Sequence, residues 1–307
     1  MRTEKEMFDL ILGTARKDPR VRAVYMNGSR TNPNAPRDVF QDYDIVYVVR
    51  ELETFKADHS WIDVFGERFM LQMPEAMRDP SGDGHFNWMM LFTDGNRLDL
   101  TLIPIEKPEL IGSDSLSIAL LDKDGILPPF PPASDRDYLV KPASELEYFS
   151  CCNNFWWCLQ NVAKGMAREE WPYVMMMYHT VVREELHDMI AWYIGLITDF
   201  QVSAGKMGKY FKNHLPPEMY KQYLETYSAA ETADMWRAIG SACDLFSTLA
   251  RRTGEGFGYS YNGQDEKNMR CYLLNVRNRV YAGEGCKESQ RVFFRFPRER
   301  ANNRHGI

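Results

Sequence analysis

The segment LPPFPPAS, residues 127–134, divides the chain into two stretches with different periodicities. Proline fixes φ and lacks a backbone donor, so this run can continue neither a helix nor a central strand. Before it, apolar runs at 21–26, 44–49, 68–73, 86–92 and 97–103 read as strands, with a shorter extended piece at 117–121. Met7, Leu10, Ile11 and Ala15 place one side of a helix over 3–17, and a second helix is expected near 52–59. After Pro142 the apolar residues recur with a helical period, predicting helices at 144–168, 171–199, 204–213, 216–227, 230–252 and 265–281. Pro172 and the pair Pro216-Pro217 suit helix first turns. The expected architecture is a two-domain α+β chain: a mixed β-sheet with helices over 1–140, an all-α bundle over 141–282, and a basic tail over 283–307. The boundary falls between residues 134 and 143.

Chemistry concentrates in residues 25–46, YMNGSRTNPNAPRDVFQDYDIV. A Gly28-Ser29 turn follows the first strand-like run, and Asp42 and Asp44 stand at the mouth of the second. Residues two apart on a strand face the same side, so both carboxylates point one way and Tyr43 the other. Hard anionic oxygens suit Mg²⁺, and a small-residue turn lets phosphate oxygens approach the backbone. The runs FNWMMLF and RLDLTLI flank Thr93-Asp94-Gly95-Asn96, a hairpin signal. On the second run Leu98, Leu100 and Leu102 alternate with Asp99 and Thr101, leaving one acid on the polar face. A lone Asp-x-Asp is usually a solvated turn, and a lone Gly-Ser is weaker still. The joint pattern of strand, turn, Asp-x-Asp and hairpin-borne Asp is far more specific. If the strand of Asp99 lies beside that of Asp42 and Asp44, three carboxylates converge on a two-metal site of the kind used in nucleotidyl transfer.

A chain of 307 residues with 44% hydrophobic and 26% charged residues has the composition of a globular protein. No run of eighteen apolar residues is present, and MRTEKEMFDL lacks a signal core, so a cytoplasmic protein without membrane contact is expected. A net charge of −6 argues against a general nucleic-acid binder and suits a cationic small molecule. The six cysteines have no CxxC spacing and read as reduced packing residues.

The stretch GSRTNPNAPRDVFQDYDI, followed by RLDLTLIPI and LLDKDG (120–125), resembles the aminoglycoside 6-adenylyltransferases, bacterial nucleotidyltransferases that modify streptomycin. The resemblance continues through CCNNFWW (151–157), AWYIG (191–195) and SAGKMGKYFK (203–212), and reaches about residue 282. It implies a nucleotidyltransferase-type first domain, ATP as co-substrate, two Mg²⁺ ions and a cationic aminoglycoside acceptor. Asp42, Asp44 and Asp99 would be both metal-binding and catalytic, with Asp99 as general base. Gly28 and Ser29 would grip phosphate oxygens and Arg30 would add charge. Lys206 and Lys209, three apart and hence on one helix face, would hold the triphosphate, although such a pair is usually solvated.

Glu184, Glu185 and Asp188 could receive ammonium or guanidinium groups of the acceptor, or be ordinary surface acids. His187 reads as a surface histidine, and Trp156, Trp157 and Trp192 as core. A monomer or small homo-oligomer is expected. The competing readings are a nucleotidyltransferase with another acceptor, or a nucleotide-binding regulator without turnover.

Overall fold

The structure is a computed structural model and describes residues 1–112 and 114–281. The chain separates into two compact units, Met1–Leu139 and a second that begins at Val140. No helix among the described residues is long and apolar enough to cross a membrane. The arginine-rich tail over 283–307 lies outside them.

The first unit opens with helix α1 (Glu4–Lys17), which a capping box starts. Thr3 Oγ1 accepts from the Glu6 amide and Glu6 Oε2 accepts from the Thr3 amide, satisfying two otherwise orphaned donors. Six strands follow: β1 (Val21–Asn27), β2 (Tyr43–Val49), β3 (Arg68–Gln72), β4 (Phe86–Phe92), β5 (Arg97–Pro104) and β6 (Ile118–Asp122). Helix α2 (Leu52–Ala57) and a 3₁₀ turn (His59–Phe65) fill the β2–β3 connection. The order across the sheet is β3-β4-β5-β2-β1-β6. Only β2 and β5 run parallel; every other neighbouring pair is antiparallel. The Thr93–Asn96 hairpin forms as its residues dictate, with Gly95 at φ +86° and the Phe92 amide donating to the Asn96 carbonyl at 2.9 Å.

Alternation decides what each sheet face meets. Tyr43, Ile45, Tyr47 and Val49 of β2, with Leu98, Leu100 and Leu102 of β5, pack beneath Met7 and Ile11 of α1. Burying each such leucine contributes about 1.5–3 kcal/mol. The opposite face carries Val46, Val48 and Ile103, covered by Ile126 and by Leu127 and Phe130 of the proline-rich segment. Asp44 and Asp99 belong to this second face by register, two residues from Val46 and Thr101. The sheet thus has a covered apolar half and a polar end.

Among the described residues of the second unit the regular elements are all helices: α3 (Glu145–Ala167), α4 (Trp171–Met176), α5 (Arg183–Ile197), α6 (Phe211–His214), α7 (Pro217–Glu225), α8 (Thr232–Phe257) and α9 (Gly263–Tyr281). Phe155 of α3 stacks on Phe246 of α8 at 3.8 Å between centroids. Two helix expectations need correction. The helix drawn over 171–199 is interrupted by a π-helical stretch, Met177–Val182. With a wider turn, residues five apart share a face. Tyr178 Oη and Arg183 Nη2 both donate to the Thr226 carbonyl at 2.9 Å. The helix drawn over 204–213 does not form as one piece, because Gly205, Met207 and Gly208 all have positive φ. Side-chain placement differs as well. Trp157 is 61% exposed, whereas Trp156 is buried and Trp192 packs partly against the core. His187 is half-buried rather than on the surface, its Nε2 2.9 Å from Tyr223 Oη, and burial pushes its pKa down to about 4.

Candidate active site

Parallel pairing of β2 with β5 sets Asp44 directly opposite Asp99, and antiparallel pairing of β1 with β2 sets Asn27 opposite Asp44 on its other side. Asp42 immediately precedes β2. The side chains of Asp42 and Asp99 are 35% and 19% exposed. Asp44 is perturbed by both of the other carboxylates, and Asp42 by Asp99. Burial raises the Asp44 carboxyl to about 6, with further contributions from Asp99 and then Asp42. Burial also raises Asp42, while Arg97 draws it back.

Gly28 closes the floor of this site. It follows β1 with φ +77°, a conformation natural to glycine, and its missing side chain leaves room for the Asp44 carboxylate. A Cβ here would lie 2.8 Å from Asp44 Cγ and closer still to Oδ2. Successive turns then curl the chain: the Thr31 amide donates to the Gly28 carbonyl at 3.1 Å and the Asn32 amide to the Ser29 carbonyl at 3.3 Å. Thr31 Oγ1 ties the turn to the Leu116 carbonyl at 2.8 Å.

Arg30 folds back onto the chain that carries Asp42. It is 9% exposed; its Nε donates to the Asp42 carbonyl at 3.0 Å and its Nη2 to the Gln41 carbonyl at 2.8 Å. The guanidinium also stacks on the Tyr43 ring at 3.8 Å. The curl of the 28–35 turns directs Arg30 beneath the start of β2, so it clamps the backbone that carries Asp42.

Arg97 is the residue that sequence reasoning missed. Its Nε and Nη2 donate to both oxygens of Asp99 at 2.8 and 2.6 Å, and its Nη1 lies 3.4 Å from Asp42 Oδ2. A signal was present: Arg97 is two residues before Asp99 on one strand, and therefore on the same face.

Lys206 and Lys209 lie in the second unit, exposed, and span a tight turn rather than one helix face. Lys209 Nζ sits 5.0 Å from the Tyr210 ring centroid. Glu184, Glu185 and Asp188 are on α5. Glu184 and Asp188 are exposed, and half-buried Glu185 accepts from Asn154 Nδ2 at 3.2 Å. Burial raises the carboxyl of Glu185.

The donors at Asp42, Asp44 and Asp99 fit Mg²⁺ in kind. They are hard oxygens, and the burial and neighbouring negative charge that raise Asp44 are what a divalent cation offsets. They are not drawn into a ligand cage: no three His, Cys, Asp or Glu side chains among the described residues are grouped to hold a metal ion. The Arg97 guanidinium lies between Asp99 and Asp42. Carbon-detected NMR of the metal-free protein is expected to show Asp44 titrating near pH 6, and to show that value falling as Mg²⁺ is added. A titration at the ordinary 3.8, unmoved by Mg²⁺, would contradict the crowded site.

Known proteins align with this chain over both units. The model of the streptomycin adenylyltransferase family matches residues 1–276. An aminoglycoside 6-adenylyltransferase of Bacillus subtilis (strain 168) is 39% identical over 270 residues, 87% of this chain and 95% of that protein. One of Campylobacter jejuni is 38% identical over 271 residues, 87% of this chain and 93% of that protein. A crystal structure of an aminoglycoside 6-adenyltransferase from Bacillus subtilis covers 90% of this chain and 99% of its own, at 33% identity and a TM-score of 0.45. At that TM-score the overlay adds nothing to the sequence match. With a family match over nearly the whole described chain, and relatives at this identity over most of their length, the chain belongs to the streptomycin adenylyltransferase family of nucleotidyltransferase enzymes.

Proposed function

We propose that the protein transfers AMP from ATP to a hydroxyl of an aminoglycoside, the 6-hydroxyl of streptomycin, and releases pyrophosphate in a Mg²⁺-dependent reaction. The observation that carries this reading is the in-register pairing of Asp44 with Asp99 on parallel strands, with Asp42 one position before β2. In this reading the first unit is the catalytic domain, the second is a helical substrate domain, and the enzyme works in the cytoplasm as a monomer or small homo-oligomer.

Asp42, Asp44 and Asp99 would hold two Mg²⁺ ions. Bound there, Mg²⁺ neutralises triphosphate oxygens and lowers the pKa of the acceptor hydroxyl. Asp99 takes the proton of that hydroxyl as general base while its oxygen attacks the α-phosphorus in line and pyrophosphate departs. The backbone at Gly28 and Ser29 receives phosphate oxygens, and Arg30 keeps Asp42 in place through the Gln41 and Asp42 carbonyls. Lys206 and Lys209 bind the triphosphate; the family resemblance supports this role. Glu184, Glu185 and Asp188 receive the cationic groups of the acceptor.

Incubation with radiolabelled ATP and streptomycin, or kanamycin as comparison, is expected to label streptomycin with Mg²⁺ and not with chelator. ATP bound tightly but no labelled aminoglycoside would overturn the reading. Lys206→Ala is expected to raise the KM for ATP about tenfold, the loss of one charge-assisted contact, with less effect on the KM for the aminoglycoside. Initial-rate kinetics check this, and the reverse pattern removes Lys206 from the triphosphate.

A further inference from the structure

The guanidinium of Arg97 sits where a cation is wanted. Its fork takes both oxygens of Asp99, at 2.8 and 2.6 Å, and its remaining nitrogen reaches Asp42 at 3.4 Å. Asp99 stands opposite Asp44, so the Arg97 charge serves a cluster of three negative ones, to which Arg30, held at the Asp42 carbonyl, adds a weaker second. We propose that Arg97 is a resident counter-cation of the carboxylate cluster, which leaves Asp99 before a divalent cation binds there and so makes metal binding depend on nucleotide. This rests on the reading of Asp42, Asp44 and Asp99 as metal ligands.

Three features support an exchange rather than a permanent brace. The Arg97 side chain is 40% exposed, so it can turn toward solvent without opening the core. A bidentate fork and a metal ion compete for the same Asp99 oxygens, so the two are mutually exclusive at full occupancy. The fork is also the geometry that recognises phosphate, so a triphosphate arriving with its cation offers the displaced guanidinium a new partner. Metal alone must break the Arg97–Asp99 pair without that compensation. Metal and nucleotide together need not, and their binding is therefore coupled, with each strengthening the other equally. Arg97 acts through Asp99 and Asp42, as a positioning residue rather than a participant in bond making.

Binding of Mn²⁺, followed by electron paramagnetic resonance on the full chain without nucleotide, tests the exchange. Arg97→Gln is expected to bind Mn²⁺ about tenfold more tightly than the wild type, because a competing charge and a hydrogen-bonded fork are both removed. ATP should strengthen Mn²⁺ binding in the wild type and do so less in the Gln variant. Arg97→Lys keeps the charge without the fork and is expected to fall between them; it carries the same comparison if the Gln variant folds poorly by circular dichroism. Asp99→Asn should weaken Mn²⁺ in every background. If Arg97→Gln binds no more tightly than wild type while Asp99→Asn still weakens binding, the counter-cation proposal fails and the metal reading survives. If Mn²⁺ binding is indifferent to Asp99 even with ATP present, the metal reading fails and the proposal with it.

Discussion

Replacing Asp44 by asparagine is expected to lower adenylylation about 1,000-fold while making the metal-free protein more stable above neutral pH. Both effects have one cause. Asp44 is enclosed between β1 and β5 beside Asp99 and Asp42, and its carboxyl is raised to about 6. A folded-state value above the ordinary 3.8 means that the native chain holds this proton more tightly than the unfolded chain. The ionised carboxylate therefore costs stability, fully above pH 6 and not at all below about 4. The shift corresponds to about 3 kcal/mol at most. Asp44→Asn removes the charge but keeps the shape, so denaturant unfolding in chelator should favour the variant at pH 8. The advantage should shrink as pH falls through 6 and vanish near pH 4. An active variant, or one destabilised equally at both pH values, would show that Asp44 is an ordinary structural residue.

Gly28→Ala is expected to reduce turnover by about 100-fold or more, the effect of misplacing a reacting group by about 1 Å. The added Cβ would lie 2.8 Å from Asp44 Cγ, and the carboxylate must move off its position opposite Asp99 to make room. Alanine also resists the φ of +77° at this position, costing about 1 kcal/mol. Gly125→Ala separates the two effects. Gly125 has φ +68° and nothing within 4 Å of its Cβ position, so its variant should lose similar stability and keep its activity. Initial rates together with unfolding midpoints provide the comparison. Equal activity in the Gly28 and Gly125 variants would mean that the turn does not position the carboxylate.

The legible parts of the fold were those governed by local rules. Leu98, Leu100 and Leu102 alternate with polar residues, and all three are buried in the sheet core. The Asp94-Gly95 pair forms the hairpin it encodes. Gly205 and Gly208, with Met207, break the helix expected over 204–213 by taking positive φ. Periodicity over ten residues could not reveal this, because helix and turn share the same apolar spacing there. The π-helical stretch was equally hidden, since Tyr178 and Arg183 converge on a carbonyl supplied by Thr226, far along the chain.

By itself the sequence determined which residues could form a carboxylate site, and on which strand face Asp44 and Asp99 would lie, because side-chain direction on a strand follows from the pleat. Only the tertiary structure decided that β5 runs parallel beside β2, which brings Asp99 level with Asp44. It also decided what the two arginines do: Arg30 turns inward to hold the chain at Asp42, and Arg97 turns onto Asp99. Long flexible cations take their partners from whatever oxygens the folded chain brings within reach, and that distance is not written in local sequence.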